Sequence, residues 1–231
     1  MLSADSIAVI LPGLRNTYSV KDEGKLYKVE SQQSSLIIIL EGVPGVGKTT
    51  LASALTEELG LTHHLSTGFM RAAMEPFLTE PQARLIRSHS FTAYAELDEK
   101  RGPITPERIL RGCVAQAELM KPVMRSCTQR AKREGIGMVL EGSHFVPGVV
   151  DYKEWGADLM VVLDVPDREE LKKRALSPNH RLRHLSDYDL KRMFILQEEL
   201  LAQAQKYGVP VVVNVDLKAA VREVVGLVTK L

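Results

Sequence analysis

An apolar strand, a glycine-rich loop and a helix follow one another directly in residues 36–59 of this 231-residue chain. The apolar run 36–40 is typical of a buried strand, and Gly60 is the kind of residue that ends a helix. The pattern Gly-x-x-x-x-Gly-Lys-Ser/Thr is filled by Gly42, Gly47, Lys48 and Thr49. This succession is that of a phosphate-binding loop, so the sequence predicts a domain that binds a nucleoside triphosphate.

The loop residues have separate expected roles. Glycines let the backbone curl so that its N–H groups point at phosphate oxygens, and the start of the helix adds partial positive charge. Lys48 is expected to bridge the β- and γ-phosphates of ATP, and the Thr49 hydroxyl to bind Mg²⁺. ATP and Mg²⁺ are therefore the expected cofactors. The predicted cofactor-binding residues are Gly42, Val43, Pro44, Gly45, Val46, Gly47, Lys48, Thr49 and Thr50.

Composition excludes several classes of protein. The formal net charge is +1, whereas a general nucleic-acid-binding protein needs a broad basic field. Two cysteines, Cys113 and Cys127, cannot build a disulfide framework, and their helical spacing with apolar residues favours a place in the core. No apolar stretch approaches the ~20 residues that span a membrane, so we expect a cytoplasmic enzyme without nucleic-acid or membrane partners.

Strand and helix patterns alternate along the chain, which predicts an α/β fold with a parallel sheet covered on both faces. Residues 1–34 are expected to be a short appendage, with a hairpin of 8–11 and 26–29, and 35–231 the domain that contains the phosphate loop. The predicted strands are 36–41, 61–66, 136–141, 158–165 and 209–214. The predicted helices are 48–59, 106–134, 167–176, 187–206 and 216–229.

Glu141 ends one of these predicted strands. A carboxylate there lies at the carboxyl edge of the sheet, where open α/β sheets bind ligands, and it could hold Mg²⁺ or orient the attacking hydroxyl. His144 follows three residues later over the same edge. The alternative for Glu141 is a simple turn cap, and for His144 a satisfied surface side chain.

Two segments with arginines are expected near the same carboxyl edge of the sheet. Thr67 and Arg71 follow the second strand, and an arginine there suits an anionic acceptor because its planar fork pairs two oxygens. A basic segment around 176–186 carries Arg181 and Arg183, which would place positive charge on the migrating phosphoryl group if the segment closes as a lid. The alternative in each case is a solvated charged face.

Six blocks follow one another along the chain: the phosphate loop, 65–71, 89–94, 112–116, 141–148 and 208–214. In this order, over residues 36–228, the chain resembles the archaeal-type 2-phosphoglycerate kinases. The most specific block is 141–148, Glu-Gly-Ser-His-Phe-Val-Pro-Gly.

The resemblance implies a fold and a reaction. The fold is that of a P-loop kinase with a five-stranded parallel sheet, helices on both faces and a lid, similar to adenylate kinase. The reaction converts ATP and 2-phosphoglycerate to ADP and 2,3-bisphosphoglycerate, with Lys48, Glu141 and the lid arginines Arg181 and Arg183 as the expected catalytic residues. The resemblance places Arg71, Tyr94, Gln116 and His144 near the acceptor. Thr67 is expected there as well, from its position after the second strand.

The sequence departs from the family at Gly68, where the family has an aspartate, and in its short segment 1–34, where the family often has a larger module. The acceptor could therefore be another small phosphorylated molecule. A nucleoside monophosphate kinase of the adenylate type is the main alternative, because 65–73 also resembles a monophosphate site. GTP-dependent switches carry an Asn-Lys-x-Asp motif that this chain lacks. Homodimerisation is left open.

Overall fold

The computed structural model of the chain describes residues 7–9, 18–21, 25–28, 35–97, 102–177 and 184–231. Its contacts divide it into two units, 1–34 and 35–231.

The smaller unit contains a three-stranded antiparallel sheet, in which the middle strand in sequence is also the middle strand in space. The expected hairpin of 8–11 with 26–29 is therefore wrong, because an unforeseen strand lies between those two. Only three residues separate the second strand from the third, and so short a connection favours antiparallel pairing of neighbours. The strands are β1 (Ile7–Val9), β2 (Tyr18–Lys21) and β3 (Lys25–Lys28).

The larger unit is built on a parallel sheet of five strands in the order β5-β6-β4-β7-β8. This confirms the predicted five-stranded parallel sheet, with strand ends that differ from the prediction by at most two residues. The strands are β4 (Ile37–Glu41), β5 (His63–Ser66), β6 (Met138–Gly142), β7 (Leu159–Asp164) and β8 (Val211–Val213).

Seven α-helices surround this sheet in the described part of the unit. Five match the predicted helices, and the other two, α2 and α3, have eight residues each. The helices are α1 (Lys48–Glu58), α2 (Thr67–Met74), α3 (Glu80–Arg87), α4 (Pro106–Glu134), α5 (Arg168–Ala175), α6 (Asp187–Tyr207) and α7 (Leu217–Val228).

The central strands are covered on both faces. Every residue of β4 and β6 is buried, as expected when helices pack on both sides of a parallel sheet. On one side α1 contacts α7, and on the other α4 contacts α6.

The pairing register of β4 decides where the site lies. Leu40 in β4 pairs with Glu141 in β6 and with Val161 in β7. Since all strands run in the same direction, the phosphate loop after β4 and the Glu141 side chain emerge at one edge.

Two of the blocks that carry the family resemblance pack on each other in the core. The 3₁₀ turn Ala93–Glu96 lies directly on α4 at Gly112, where any side chain would collide with the Tyr94 backbone. The Arg108 guanidinium also lies 5.3 Å from the centre of the Tyr94 ring. The close approach explains why a glycine stands at this point of a long helix.

Gly112→Ala should therefore destabilise the protein. Forcing a methyl group against the Tyr94 backbone costs about 1–3 kcal/mol, which outweighs the better helix propensity of alanine. Gly226→Ala in α7 is the matched control, because a Cβ there meets nothing within 4 Å. Urea unfolding should show a lower free energy of unfolding for Gly112→Ala and one that is higher by about 0.5–1 kcal/mol for Gly226→Ala. Equal effects of the two substitutions would contradict the packing described here.

Candidate active site

A cavity of about 1030 Å³ lies at the carboxyl edge of the larger sheet. It is bounded by the phosphate loop, the ends of β5 and β6, the start of α2, and the segment after β8. Several predicted site residues line it together: Pro44, Gly45, Gly47, Lys48, Thr49, Thr50, Thr67, Arg71, Glu141 and His144. A single space thus contains both the phosphate loop and the expected acceptor groups.

The phosphate loop has the backbone that its glycines permit. Gly45 and Gly47 have φ of 93° and 86°, a left-handed region that other residues rarely adopt. Gly45 also has no room for a side chain, since a Cβ would lie 2.9 Å from the Leu171 carbonyl oxygen in α5. Gly47 is the residue from which α1 starts, so the positive end of that helix faces the cavity.

Lys48, Thr49 and Glu141 are brought together at the base of the cavity. The Thr49 hydroxyl donates to Glu141 Oε1 at 3.2 Å, and Lys48 Nζ donates to the Val43 carbonyl at 2.9 Å. The described residues contain no cluster of three or more His, Cys, Asp or Glu side chains that could hold a metal. A hydroxyl beside one carboxylate nevertheless fits Mg²⁺, which usually binds through one or two carboxylates and substrate phosphates.

Glu141 is ionised in this environment although it is largely buried. Burial raises its pKa, but His64, Lys48, Ser66 and Thr49 around it outweigh that effect and hold the pKa below 4.5. His64 was not predicted; its Nε2 lies 3.9 Å from Glu141 Oε1. His64 lies two residues before Ser66 on β5, and side chains two residues apart in a strand lie on the same face of the sheet. This spacing is the sequence signal that could have predicted His64 as a site residue.

His144 is buried and faces the cavity. Its Nδ1 lies 2.8 Å from the Thr67 hydroxyl oxygen, and its Nε2 has no hydrogen-bond partner among the described residues. Burial, with the charges of Arg71 and Lys48, lowers the pKa of His144 to about 3. The imidazole is therefore neutral near pH 7, and it can form a hydrogen bond with a ligand but is a poor base.

Arg71 lines the cavity, but Gln116 does not. Arg71 Nη1 donates to the Ser88 carbonyl at 2.9 Å, and Gln116 Nε2 donates to that same carbonyl at 2.9 Å and to Leu85 O at 2.6 Å. Gln116 is completely buried beneath this turn. Its expected place beside the acceptor is thus corrected: it fixes the turn to which Arg71 binds.

Tyr94 is likewise displaced from its expected place. It is buried against Gly112 and Arg108 and is not part of the cavity wall. From the same block, His89 and Ser90 do reach the wall, with the His89 ring stacked on Phe91 at 5.0 Å. The first residues of this block therefore line the cavity, whereas Tyr94 at its end lies in the core.

Comparison with known proteins identifies the family. The model of the AAA domain family matches residues 38–183. The curated 2-phosphoglycerate kinase of Pyrococcus horikoshii is 30% identical over 211 residues, which are 88% of this chain and 69% of that protein. The chain belongs to the 2-phosphoglycerate kinase family. The enzyme of the same name from Pyrococcus furiosus is 30% identical over 87% of this chain and 68% of its own length.

The fold comparison agrees with this family. Shikimate kinase from Acinetobacter baumannii superposes with a TM-score of 0.51 and 15% identity, covering 85% of this chain and 95% of that one. Shikimate kinase from Bacteroides thetaiotaomicron superposes with a TM-score of 0.50 and 18% identity, covering 84% of this chain and 98% of that one. The protein is thus an ATP-dependent P-loop kinase, a phosphotransferase. Within the described ranges, none of the helices combines the length and apolar character that crossing a bilayer requires.

The far end of the kinase cavity lies beyond the phosphate loop. It is lined by residues of α5, just after α5 and after β8, namely Arg174, Ser177, Asn214, Val215 and Leu217. Arg174 was not among the predicted site residues. Arg181 and Arg183, the two predicted lid arginines, lie outside the described residues.

Glu41, the last residue of β4, is a buried acid next to this site that was not among the predicted site residues. Its Oε2 accepts the Phe145 N–H at 2.6 Å, and its Oε1 has no partner among the described residues. Burial raises the pKa of Glu41 to about 8, although the charge of Lys48 acts in the opposite direction. The carboxyl group is therefore mostly protonated near neutral pH, and it fixes the segment that carries His144.

Glu41→Gln should flatten the pH dependence of stability. Between pH 4.5 and about 8 the folded protein keeps a proton on Glu41 that the unfolded chain releases, so stability decreases as the pH rises. Glutamine keeps the acceptor for Phe145 without this loss. Urea unfolding at several pH values should show that the free energy of unfolding of the variant rises relative to that of the wild type from pH 5 to 8. Curves that stay parallel would contradict the raised pKa.

Proposed function

We propose that the protein transfers the γ-phosphoryl group of ATP to the free hydroxyl of 2-phosphoglycerate, giving ADP and 2,3-bisphosphoglycerate. The observation that carries the proposal is the convergence of Lys48, Glu141, Arg71 and His144 on one cavity. The names of the curated relatives support the same acceptor. A cytoplasmic location and a homodimer remain predictions from the sequence.

The donor end of the proposed complex is formed by the phosphate loop. Its N–H groups, the start of α1 and the Lys48 ammonium hold the triphosphate. Thr49 and Glu141 would hold Mg²⁺, which supplies positive charge to the β- and γ-phosphates. The nucleobase then extends toward Arg174, Val215 and Leu217 at the far end of the cavity.

The acceptor end offers groups for two anions. 2-Phosphoglycerate presents a carboxylate and a phosphate around one hydroxyl, and the Arg71 fork can pair two oxygens of either anion. The neutral His144 contributes its unpartnered Nε2 to a hydrogen bond, and His89 adds a polar group to the same wall.

In the reaction, the acceptor oxygen forms a bond to the γ-phosphorus while the bond between that phosphorus and the β,γ-bridging oxygen breaks. The electron pair leaves with ADP, and the hydroxyl proton passes to Glu141 or to a transferring phosphate oxygen. A weak base suffices because the transition state is loose and positioning provides most of the catalysis. His144 does not take this proton, since its pKa is about 3.

A screen of acceptors tests the proposal. ADP release is measured with 2-phosphoglycerate, 3-phosphoglycerate, AMP, CMP and UMP, against the background of ATP hydrolysis. We expect turnover well above background with 2-phosphoglycerate. Turnover with AMP alone would reject the proposed acceptor in favour of a nucleotide kinase, while leaving the P-loop chemistry intact.

Glu141→Gln should lower turnover by about 10²–10⁴ while changing ATP affinity much less. The substitution keeps the shape and removes the charge that orients the hydroxyl and holds the metal. Steady-state rates and ATP binding by calorimetry give the two quantities. A variant within about threefold of wild-type turnover would make Glu141 only a turn residue.

Arg71→Lys should raise the KM for the acceptor by about tenfold with a smaller effect on the KM for ATP, since a point charge cannot replace a two-pronged contact. Arg84→Lys is the control, because Arg84 pairs with Glu96 at 3.4 Å and does not line the cavity. The same rise in both variants, or none in the first, would remove Arg71 from the acceptor site.

A further inference from the structure

Asn214 is a buried polar residue that no step of the proposed reaction uses. It follows β8 directly and ends the block 208–214, and it is 4% exposed. Its backbone N–H donates to the Asp164 carbonyl at 2.8 Å, which continues the pairing of β8 with β7. The sheet thus fixes where its side chain starts.

The side chain reaches the phosphate loop. Asn214 Nδ2 donates to the Val46 carbonyl at 2.8 Å. Only the NH₂ end of a carboxamide can serve a carbonyl oxygen, so this partner also fixes the orientation of the amide. Val46 itself is completely buried, so a carbonyl without this donor would lose its hydrogen bond in a poorly hydrated place.

The same amide packs on the next residue of the loop. A Cβ on Gly47 would lie 2.5 Å from Asn214 Nδ2, so the amide rests on the Gly47 α-carbon. Gly47 is in the left-handed conformation that starts α1 and turns the loop toward the cavity. The hydrogen bond and this contact together hold the turn in place.

Arg174 in turn holds Asn214. Its Nη1 donates to the Asn214 carbonyl at 2.7 Å and its Nη2 to the Val215 carbonyl at 3.1 Å, while Nε donates to Glu170 at 2.8 Å. Helix α5, which carries Arg174, also touches Gly45. The phosphate loop is therefore supported from α5 at two points, directly and through Asn214.

We propose that Asn214 is a positioning residue for the triphosphate: it holds the Val46–Gly47 peptide so that the loop N–H groups face the phosphates before the nucleotide binds. A binding site that is ordered in advance loses less conformational entropy on binding, which raises affinity. The inference rests on nucleotide binding within the proposed function and not on the identity of the acceptor.

The test compares ATP with inorganic tripolyphosphate, which has the phosphates but no base. The variants are Asn214→Ala and the milder Asn214→Ser, whose hydroxyl is too short to reach Val46. Calorimetry should show that both variants bind both ligands about tenfold more weakly than the wild type does. A loss for ATP alone would mean that Asn214 contacts the base, and no loss for either would mean that it is only structural. Both results overturn the proposal.

Thr128→Ala is the matched control. Thr128 is a fully buried residue of α4 whose hydroxyl donates to the Arg125 carbonyl at 2.8 Å, and it does not line the cavity. This variant also loses a buried hydrogen bond, but its affinity for tripolyphosphate should equal that of the wild type. An equal loss of affinity in Thr128→Ala would show that general destabilisation is the cause.

Backbone ¹⁵N relaxation of the unliganded protein is a second test, and its wild-type part requires no variant. The amides of Val43, Gly45, Val46 and Gly47 should have order parameters of about 0.85, as in rigid backbone, and Asn214→Ser should lower them selectively. Order parameters below about 0.6 in the wild type would overturn the proposal even if both variants fail to fold. Neither measurement involves 2-phosphoglycerate, so failure of the acceptor proposal is seen separately.

Discussion

The parallel pairing of β4 with β6 is the constraint on which the active site depends. Because Leu40 pairs with Glu141, the strand that leads into the phosphate loop and the strand that carries the carboxylate end side by side. The Thr49 hydroxyl therefore lies 3.2 Å from Glu141, and no long loop is needed to bring the two groups together. A shift of this register by one residue would turn Glu141 to the other face of the sheet and separate the two groups.

Buried polar groups set the shape of the cavity around this pair. Glu41 fixes the peptide of Phe145, and Asn214 fixes that of Val46. Gln197, another buried amide, accepts the Val43 N–H at 3.4 Å and donates to the Leu163 carbonyl at 2.8 Å. Each interaction gives a backbone polar group a hydrogen-bond partner within the protein. The N–H groups that face the cavity are thereby left for phosphate oxygens, as electrostatic preorganisation requires.

Much of the fold was predictable because its signals are local. The phosphate loop is a contiguous motif, and the long helices and buried strands have clear periodicity. Glu41, His64 and Asn214 were not predicted as site residues, because each acts through a contact with a residue distant in sequence. Tyr94 and Gln116 show the converse, since their blocks resemble the family while their side chains support the site from the core.

The central claim is that one cavity accommodates the nucleotide and a phosphorylated acceptor at the same time. It is tested most directly by measuring the affinity of a non-hydrolysable ATP analogue with Mg²⁺, by calorimetry, in the absence and presence of saturating 2-phosphoglycerate. The account predicts a ternary complex, in which the analogue binds at least as tightly when the acceptor is present. Mutual exclusion of the two ligands, or no binding of 2-phosphoglycerate to the complex with the analogue, would contradict it.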